Sequence, residues 1–136
     1  MNDKKINGSV DELGYIYIMT SVINLEKGIR IDDVKTIIDT GAFSSFIQKD
    51  LASELKLNSI KTAEYTNPLE GKIKANVFSI ELIIGKTQFT KFRITEFNQK
   101  NYPCGILIGM DLIKYCELTY SGKNKTFELI LPDKFV

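Results

Sequence analysis

The chain has 136 residues, 43% of them hydrophobic, which is enough for one compact core and too little for two full domains. A balance of 18 basic and 17 acidic residues leaves a net charge of +1 with no basic block, arguing against a nucleic-acid footprint or an anchor on an anionic membrane, and no apolar run approaches a bilayer span. Histidine is absent, which excludes Ser-His-Asp and Cys-His catalysis within one chain, so any hydrolysis must move its protons through carboxylates.

Residues 1–12 are polar and are expected to form a flexible N-terminal segment ahead of a single domain over 13–136. Met1-Asn2-Asp3-Lys4-Lys5 leads into polar sequence rather than a secretory apolar core, so cytoplasmic residence is the default expectation. Beginning at Met1, the chain reads as a complete product. Tyr15 to Asn24, rich in aromatic and β-branched residues, predicts a strand, and Leu25 to Asp33, with Gly28 and two adjacent acids, predicts a turn. Val34 to Ile38 is short and apolar enough for a buried strand that delivers Asp39 at its end. Gly41 permits the sharp turn that follows.

From Gln48 to Leu57 the spacing of Leu51, Ala52, Leu55 and Leu57 predicts a short amphipathic helix. Ile60 to Tyr65 and Lys72 to Ile84 read as strands around Asn67-Pro68-Leu69-Glu70-Gly71, a cluster suited to a hairpin tip or loop, with Ile80, Leu82 and Ile84 on one buried face. Gly85-Lys86 is a two-residue hairpin turn into a strand from Phe89 to Phe97. A loop over 98–105 precedes a buried strand from Ile106 to Ile108, and Asp111 to Tyr115 predicts one or two helical turns, with Asp111 as the cap. Glu117 to Tyr120 and Thr126 to Leu131 form a last hairpin around Ser121-Gly122-Lys123-Asn124. Many short strands at close spacing argue an all-β barrel.

Cys104 and Cys116 lack metal-ligand spacing and have no histidine to complete a site, so they read as small apolar residues near the core, and no metal or other cofactor is expected. The informative residues lie elsewhere. An acidic residue at the end of a buried strand is costly, and Asp39-Thr40-Gly41-Ala42 follows Ile37 and Ile38 directly.

This segment, with Phe43, Ser44, Ser45, Phe46 and Ile47 after it, resembles the active-site loop of the retropepsin-like aspartic proteases, and Ile106-Leu107-Ile108-Gly109-Met110-Asp111-Leu112 resembles the apolar-apolar-Gly element of the same family. Its Leu-Ile-Gly-Met-Asp-Leu part and the hairpin that follows are most similar to the protease-like domain of DNA-damage-inducible ubiquitin-shuttle proteins. The resemblance implies an all-β, closed acid-protease barrel with one or two short helices. It implies an aspartic endopeptidase in which Asp39 is catalytic, Thr40 bonds across a dimer axis, Gly41 leaves room for substrate backbone, and Ile108 and Gly109 form a structural motif.

Two carboxylates sharing a proton can hydrolyse a peptide, one as base on water and the other as acid on the carbonyl. The chain supplies a single Asp-Thr-Gly, so the dyad must come from two chains, and a homodimer acting on a peptide or protein substrate is expected. Pepsin-like relatives carry Ser or Thr where this chain has Ala42, and losing that donor to the charged carboxylate moves the working pH towards mildly acidic or near-neutral conditions. Residues 62–77 occupy the chain position of the family's flap, which makes Tyr65, Asn67, Leu69, Glu70 and Gly71 candidate substrate contacts. A solvated loop is the alternative for that tip, and a dimeric peptide-binding module or a structural dimerisation domain on the same fold are the alternatives to an enzyme.

Overall fold

The polar opening of the chain is not frayed where it is described. In the computed structural model, which describes residues 4–133, Lys5–Val10 forms strand β1, correcting the expectation of a flexible segment over 1–12, of which residues 1–3 lie outside the described part. Lys5 to Gly8 pair with residues 130 to 127, and Ser9 and Val10 pair with Tyr17 and Ile16. Polar strands need only alternate half-burial when partner strands supply a full ladder, and here Ile6, Gly8 and Val10 turn inward. Gly8 lies against the ring of Phe127, where a Cβ would have no room.

The next strands, β2 (Ile16–Asn24) and β3 (Ile29–Ile38), form a hairpin whose turn is shorter than expected. Asp32 and Asp33 belong to β3, not to the turn, because the register shifts so that they oppose Ser21 as a bulge, Asp33 taking φ 55°. Ser21 Oγ and Arg30 Nε, at 2.6 and 2.8 Å, donate to the Asp32 carboxylate.

A three-residue strand with no sequence signal, β4 (Phe46–Gln48), precedes helix α1 (Lys49–Glu54). The helix is shorter than the apolar spacing predicts. Lys56 takes φ 54° and the Leu57 amide returns to the Ala52 carbonyl at 3.1 Å, closing the C-terminus, while the buried Asn24 amide donates to the carbonyls of Leu55 and Lys56.

The long hairpin β5 (Lys61–Asn67) and β6 (Gly71–Ile84) is followed by β7 (Thr87–Phe97), β8 (Ile106–Ile108), α2 (Met110–Ile113), β9 (Glu117–Ser121) and β10 (Thr126–Ile130). Strands β2, β3, β8, β4, β7 and β6 pair in that order, and β6 returns to β2, closing a six-stranded barrel. Two of its seams are parallel, β3 with β8 and β4 with β7. The expected all-β acid-protease barrel with short helices is therefore the observed architecture.

Ile80, Leu82 and Ile84 fill the barrel with Val22, Ile47, Ile106, Ile108 and Leu112, as the alternation in β6 requires. On the opposite face of β8 and β3, Leu107 and Ile37 join Phe97 and Cys104 in a second, smaller cluster. The main core makes the barrel rigid. The second cluster forms one wall of a cleft.

Candidate active site

Asp39 begins where β3 runs out. Its amide donates to the Ile108 carbonyl at 2.8 Å, one step beyond the parallel β3–β8 ladder, so its backbone is held by the barrel although its side chain is partly open to solvent. The chain then folds back on the carboxylate. The Gly41 amide donates to Asp39 Oδ1 at 2.8 Å, and the Ala42 amide donates to the Asp39 carbonyl at 3.2 Å. A Cβ on Gly41 would stand 3.2 Å from Oδ1, crowding the oxygen it serves. Thr40 and Gly41 are exposed and Ala42 is half-buried, so the loop presents Asp39 and its neighbours outward.

A second set of bonds ties this loop to α2. The Met110 and Asp111 amides donate to the carbonyls of Ala42 and Phe43 at 2.8 and 3.1 Å. Asp111, expected as a helix cap, is not one, since Gly109 occupies the N-cap position. Its Oδ1 accepts the Ser45 hydroxyl at 2.7 Å and its Oδ2 accepts the Ser45 amide at 2.9 Å, while the fully buried Ser45 Oγ accepts the Gly109 amide at 3.1 Å. Gly109 packs so closely under the loop that a Cβ would meet the Ser44 carbonyl and lie 2.8 Å from the Ala42 carbonyl oxygen. The motif residues Ile108 and Gly109 thus hold the Asp39 loop from beneath. Ser45 completes the lock and was not singled out by the sequence.

The β5–β6 hairpin stands over the neighbouring groove. Lys61 to Asn67 pair with Val77 to Gly71, and the Asn67 side chain accepts the amides of Leu69 and Glu70 to close the tip, with Gly71 at φ 79°. Tyr65, Asn67 and Glu70 line a groove of about 470 Å³ with Phe46, Tyr102 and Leu107 across from them. Leu69 and Gly71 do not line it. They sit exposed at the tip, Leu69 at 93%.

Asp39 lies outside this groove in an adjoining depression of about 370 Å³, with Thr40, Tyr15 and Tyr120. Tyr102 bridges the two, its ring 6.3 Å from that of Tyr15. Burial, then the neighbouring Cys104, Tyr15 and Asp39, push its phenol up to about 12, so it stays neutral and can donate. Burial likewise pushes the Cys104 thiol up to about 11, making it an inert wall residue. The wall also depends on the segment before β2. Asp11 accepts the amides of Leu13 and Tyr15 at 3.0 and 2.9 Å and pairs with Lys35 at 3.0 Å. Desolvation acts to raise the Asp11 carboxyl, but the Lys35 and backbone bonds outweigh it and hold it below the ordinary 3.8.

The family model described as aspartyl protease matches residues 27–112, a span containing the Asp39 loop, the β5–β6 hairpin and the Gly109 segment. The chain belongs to the aspartyl protease family. No curated protein sequence matches it. Among solved structures, it is similar to a retropepsin-like aspartic protease from Rickettsia conorii, with 22% identity and a TM-score of 0.62 over 92% of this chain and 89% of that one. It is also similar to the retroviral protease-like domain of Ddi1 from Leishmania major, with 13% identity and a TM-score of 0.56 over 90% of this chain and 98% of that one. At such identities these likenesses show the retropepsin-like fold of this family member. They extend beyond the family match.

Proposed function

We propose that the protein is an aspartic endopeptidase whose active site forms between two copies of the chain. The observation that carries this reading is a single Asp-Thr-Gly loop, rigidly held from below, with its carboxylate partly open beside a peptide-sized groove. Asp111 cannot supply the second carboxylate, because both of its oxygens are engaged by Ser45. A two-fold axis that brings Asp39 opposite its own copy supplies the missing group.

In that dyad one carboxylate removes a proton from water as the water oxygen attacks the peptide carbonyl, and the protonated partner gives its proton to the carbonyl oxygen. The tetrahedral diol then collapses. One hydroxyl proton returns to a carboxylate, the other carboxyl protonates the leaving nitrogen, and acid and amine products separate. By the family resemblance, Thr40 bonds across the axis. Ala42, which adds no donor to the carboxylate, fits a mildly acidic to near-neutral working pH and cytoplasmic residence.

The seam of this dimer is the outer edge of β9. Among the described residues that strand ends the sheet, with no strand on its outer side, and Tyr120 on it shares the depression that holds Asp39. Sedimentation combined with cleavage of a mixed peptide library tests the reading. The wild type is expected to sediment as a dimer and to cleave the library in a manner blocked by a statine-type transition-state mimic, and Asp39→Asn is expected not to cleave. A protein that holds peptides equally well with or without the carboxylate, and cleaves none, is a binding module instead. A monomer with full activity would also overturn the dyad.

A further inference from the structure

Tyr102 stands where the groove meets the Asp39 depression, and it carries an oxygen for which the fold has no use. Its ring ends a row of edge contacts that runs from Tyr65 through Phe46 and Phe97, the last step being 5.6 Å at 85°. On its other side lies Tyr15, ring to ring at 6.3 Å, which lines the depression together with Asp39. The backbone that carries the residue is fixed too. The Tyr102 amide donates to the Gln99 carbonyl at 3.1 Å, the same carbonyl accepts Gln48 Nε2 at 2.7 Å, and the Gly105 amide donates to the Lys35 carbonyl at 3.0 Å. A phenylalanine would make all of these contacts. Among the described residues no group bonds the Tyr102 hydroxyl and no buried side-chain oxygen lacks a partner, so this oxygen is open to the cavities that the residue lines.

We propose that Tyr102 anchors the substrate, its hydroxyl donating to a main-chain carbonyl where the peptide passes from the groove to Asp39. The assignment rests on reading the cleft as a peptide site. A peptide laid across this junction loses water from its backbone, and a carbonyl left there without a donor is costly. Tyr102 meets that need from a fixed place, since its ring and loop are already held and little ordering remains to be done on binding. The neighbouring Gln48 amide is no substitute, because it is bonded to Gln99. Burial, and after it Cys104, Tyr15 and Asp39, push the phenol up to about 12, so it remains a neutral donor at any ordinary pH. The negative field of Asp39 reaches it and disfavours an anionic acceptor, which leaves the neutral carbonyl that every peptide carries.

The test is Tyr102→Phe, which keeps the ring and removes the oxygen, assayed on an octapeptide that the wild type cleaves. Because the hydroxyl has no bond to lose in the free protein, melting is expected within a few degrees of the wild type, while KM rises about five- to tenfold and kcat changes less than about twofold. The acceptor is located with versions of the same peptide in which one link at a time is an E-alkene, bound to Asp39→Asn and to Asp39→Asn/Tyr102→Phe protein. At one link the alkene is expected to weaken binding at least about threefold more in the protein that keeps the hydroxyl. Unchanged KM in Tyr102→Phe, equal losses in the two proteins at every link, or a Tyr102→Phe protein that melts far below the wild type, showing a bond within the fold, overturns this assignment and leaves the protease reading intact. Absence of all peptide cleavage and binding by the wild type overturns that reading and the anchor with it.

Discussion

The Asp39 loop and the β5–β6 hairpin border adjoining depressions and are built on opposite principles. The loop is tied at almost every step, to β8 through Ile108, to itself through Gly41 and Ala42, and to α2 through Met110, Asp111 and the buried Ser45. The hairpin tip holds itself with its own ladder and Asn67, and apart from the Tyr65–Phe46 ring contact it stands in solvent. On the proposed reading, the Asp39 carboxylate meets water and a partner at hydrogen-bond distance and has to be positioned within a fraction of an ångström. On the same reading, the hairpin admits and releases a peptide and has to move, which fits its being one of the weakly held parts of the structure.

Replacing Asp39 with Asn sharpens the contrast most. The amide oxygen still accepts the Gly41 amide, so the melting temperature is expected to stay within a few degrees, while cleavage falls by at least about 10²-fold through loss of the proton-transfer group. Gly109→Ala and Asp111→Ala attack the lock beneath. The first forces a methyl into the loop carbonyls, at about 1–3 kcal/mol for overpacking. The second leaves the Ser45 amide and hydroxyl unpaired, at about 1–3 kcal/mol. Urea midpoints are expected to drop in both, with activity falling alongside, and an unchanged midpoint in Asp111→Ala would show that the loop needs no lock.

Alkaline titration probes the fixed wall of the cleft, through Cys104 and Tyr102, and the main core, through Cys116. Cys104 and Cys116 are pushed from 9.0 to about 11 by burial, and Tyr102 from 10.0 to about 12, so the folded state holds these protons more tightly than the unfolded chain. Their contribution is whole below pH 9 and is lost as pH rises through about 9 to 12. Melting temperature against pH is expected to fall in that window, and less steeply in Cys104→Ala. At the flap, Tyr65→Leu is expected to cost less than about 1.5 kcal/mol of stability, since it removes an edge contact but keeps an apolar side chain, and to raise KM more than it lowers kcat. A variant whose kcat collapses instead would place Tyr65 among the fixed parts of the site.

The smallest expected effect is at Asp11, whose lowered carboxyl contributes stability that is whole above the ordinary value of 3.8 and fades as pH falls through the lower folded one. Asp11→Asn is expected to flatten the acid limb of the melting curve, and a curve parallel to the wild type would show that Lys35 does not favour the ionised form.

Features held by neighbours in the chain were legible in the sequence. The Asp39 loop is one such feature, because the strand that carries Asp39 and the glycine that turns the chain back on it lie within a few residues of each other. The β6 face of Ile80, Leu82 and Ile84 and the Gly85-Lys86 turn are others, since period-two burial and turn chemistry are written locally. Phe46–Gln48 is a strand only because β7 and β8 offer it an edge on each side, and nothing in three residues announces that. The polar β1 owes its existence to β10, more than a hundred residues away, and the acids Asp32 and Asp33 turned out to be a bulge because a register shift against β2 left them unpaired.

By itself, then, the order of residues decided that an acidic group would end a buried strand, that no imidazole would be available to assist it, and that short strands would wrap a single core. Only the folded chain decided that Asp111 braces Ser45 rather than capping a helix, that four rings from four elements line up in the groove next to Asp39, and that β9 ends the sheet among the described residues. The division has a physical cause. Hydrophobic period and turn geometry act over a few bonds, whereas hydrogen-bond partners, ring contacts and exposed edges are set by which distant segments the closing barrel brings to one place.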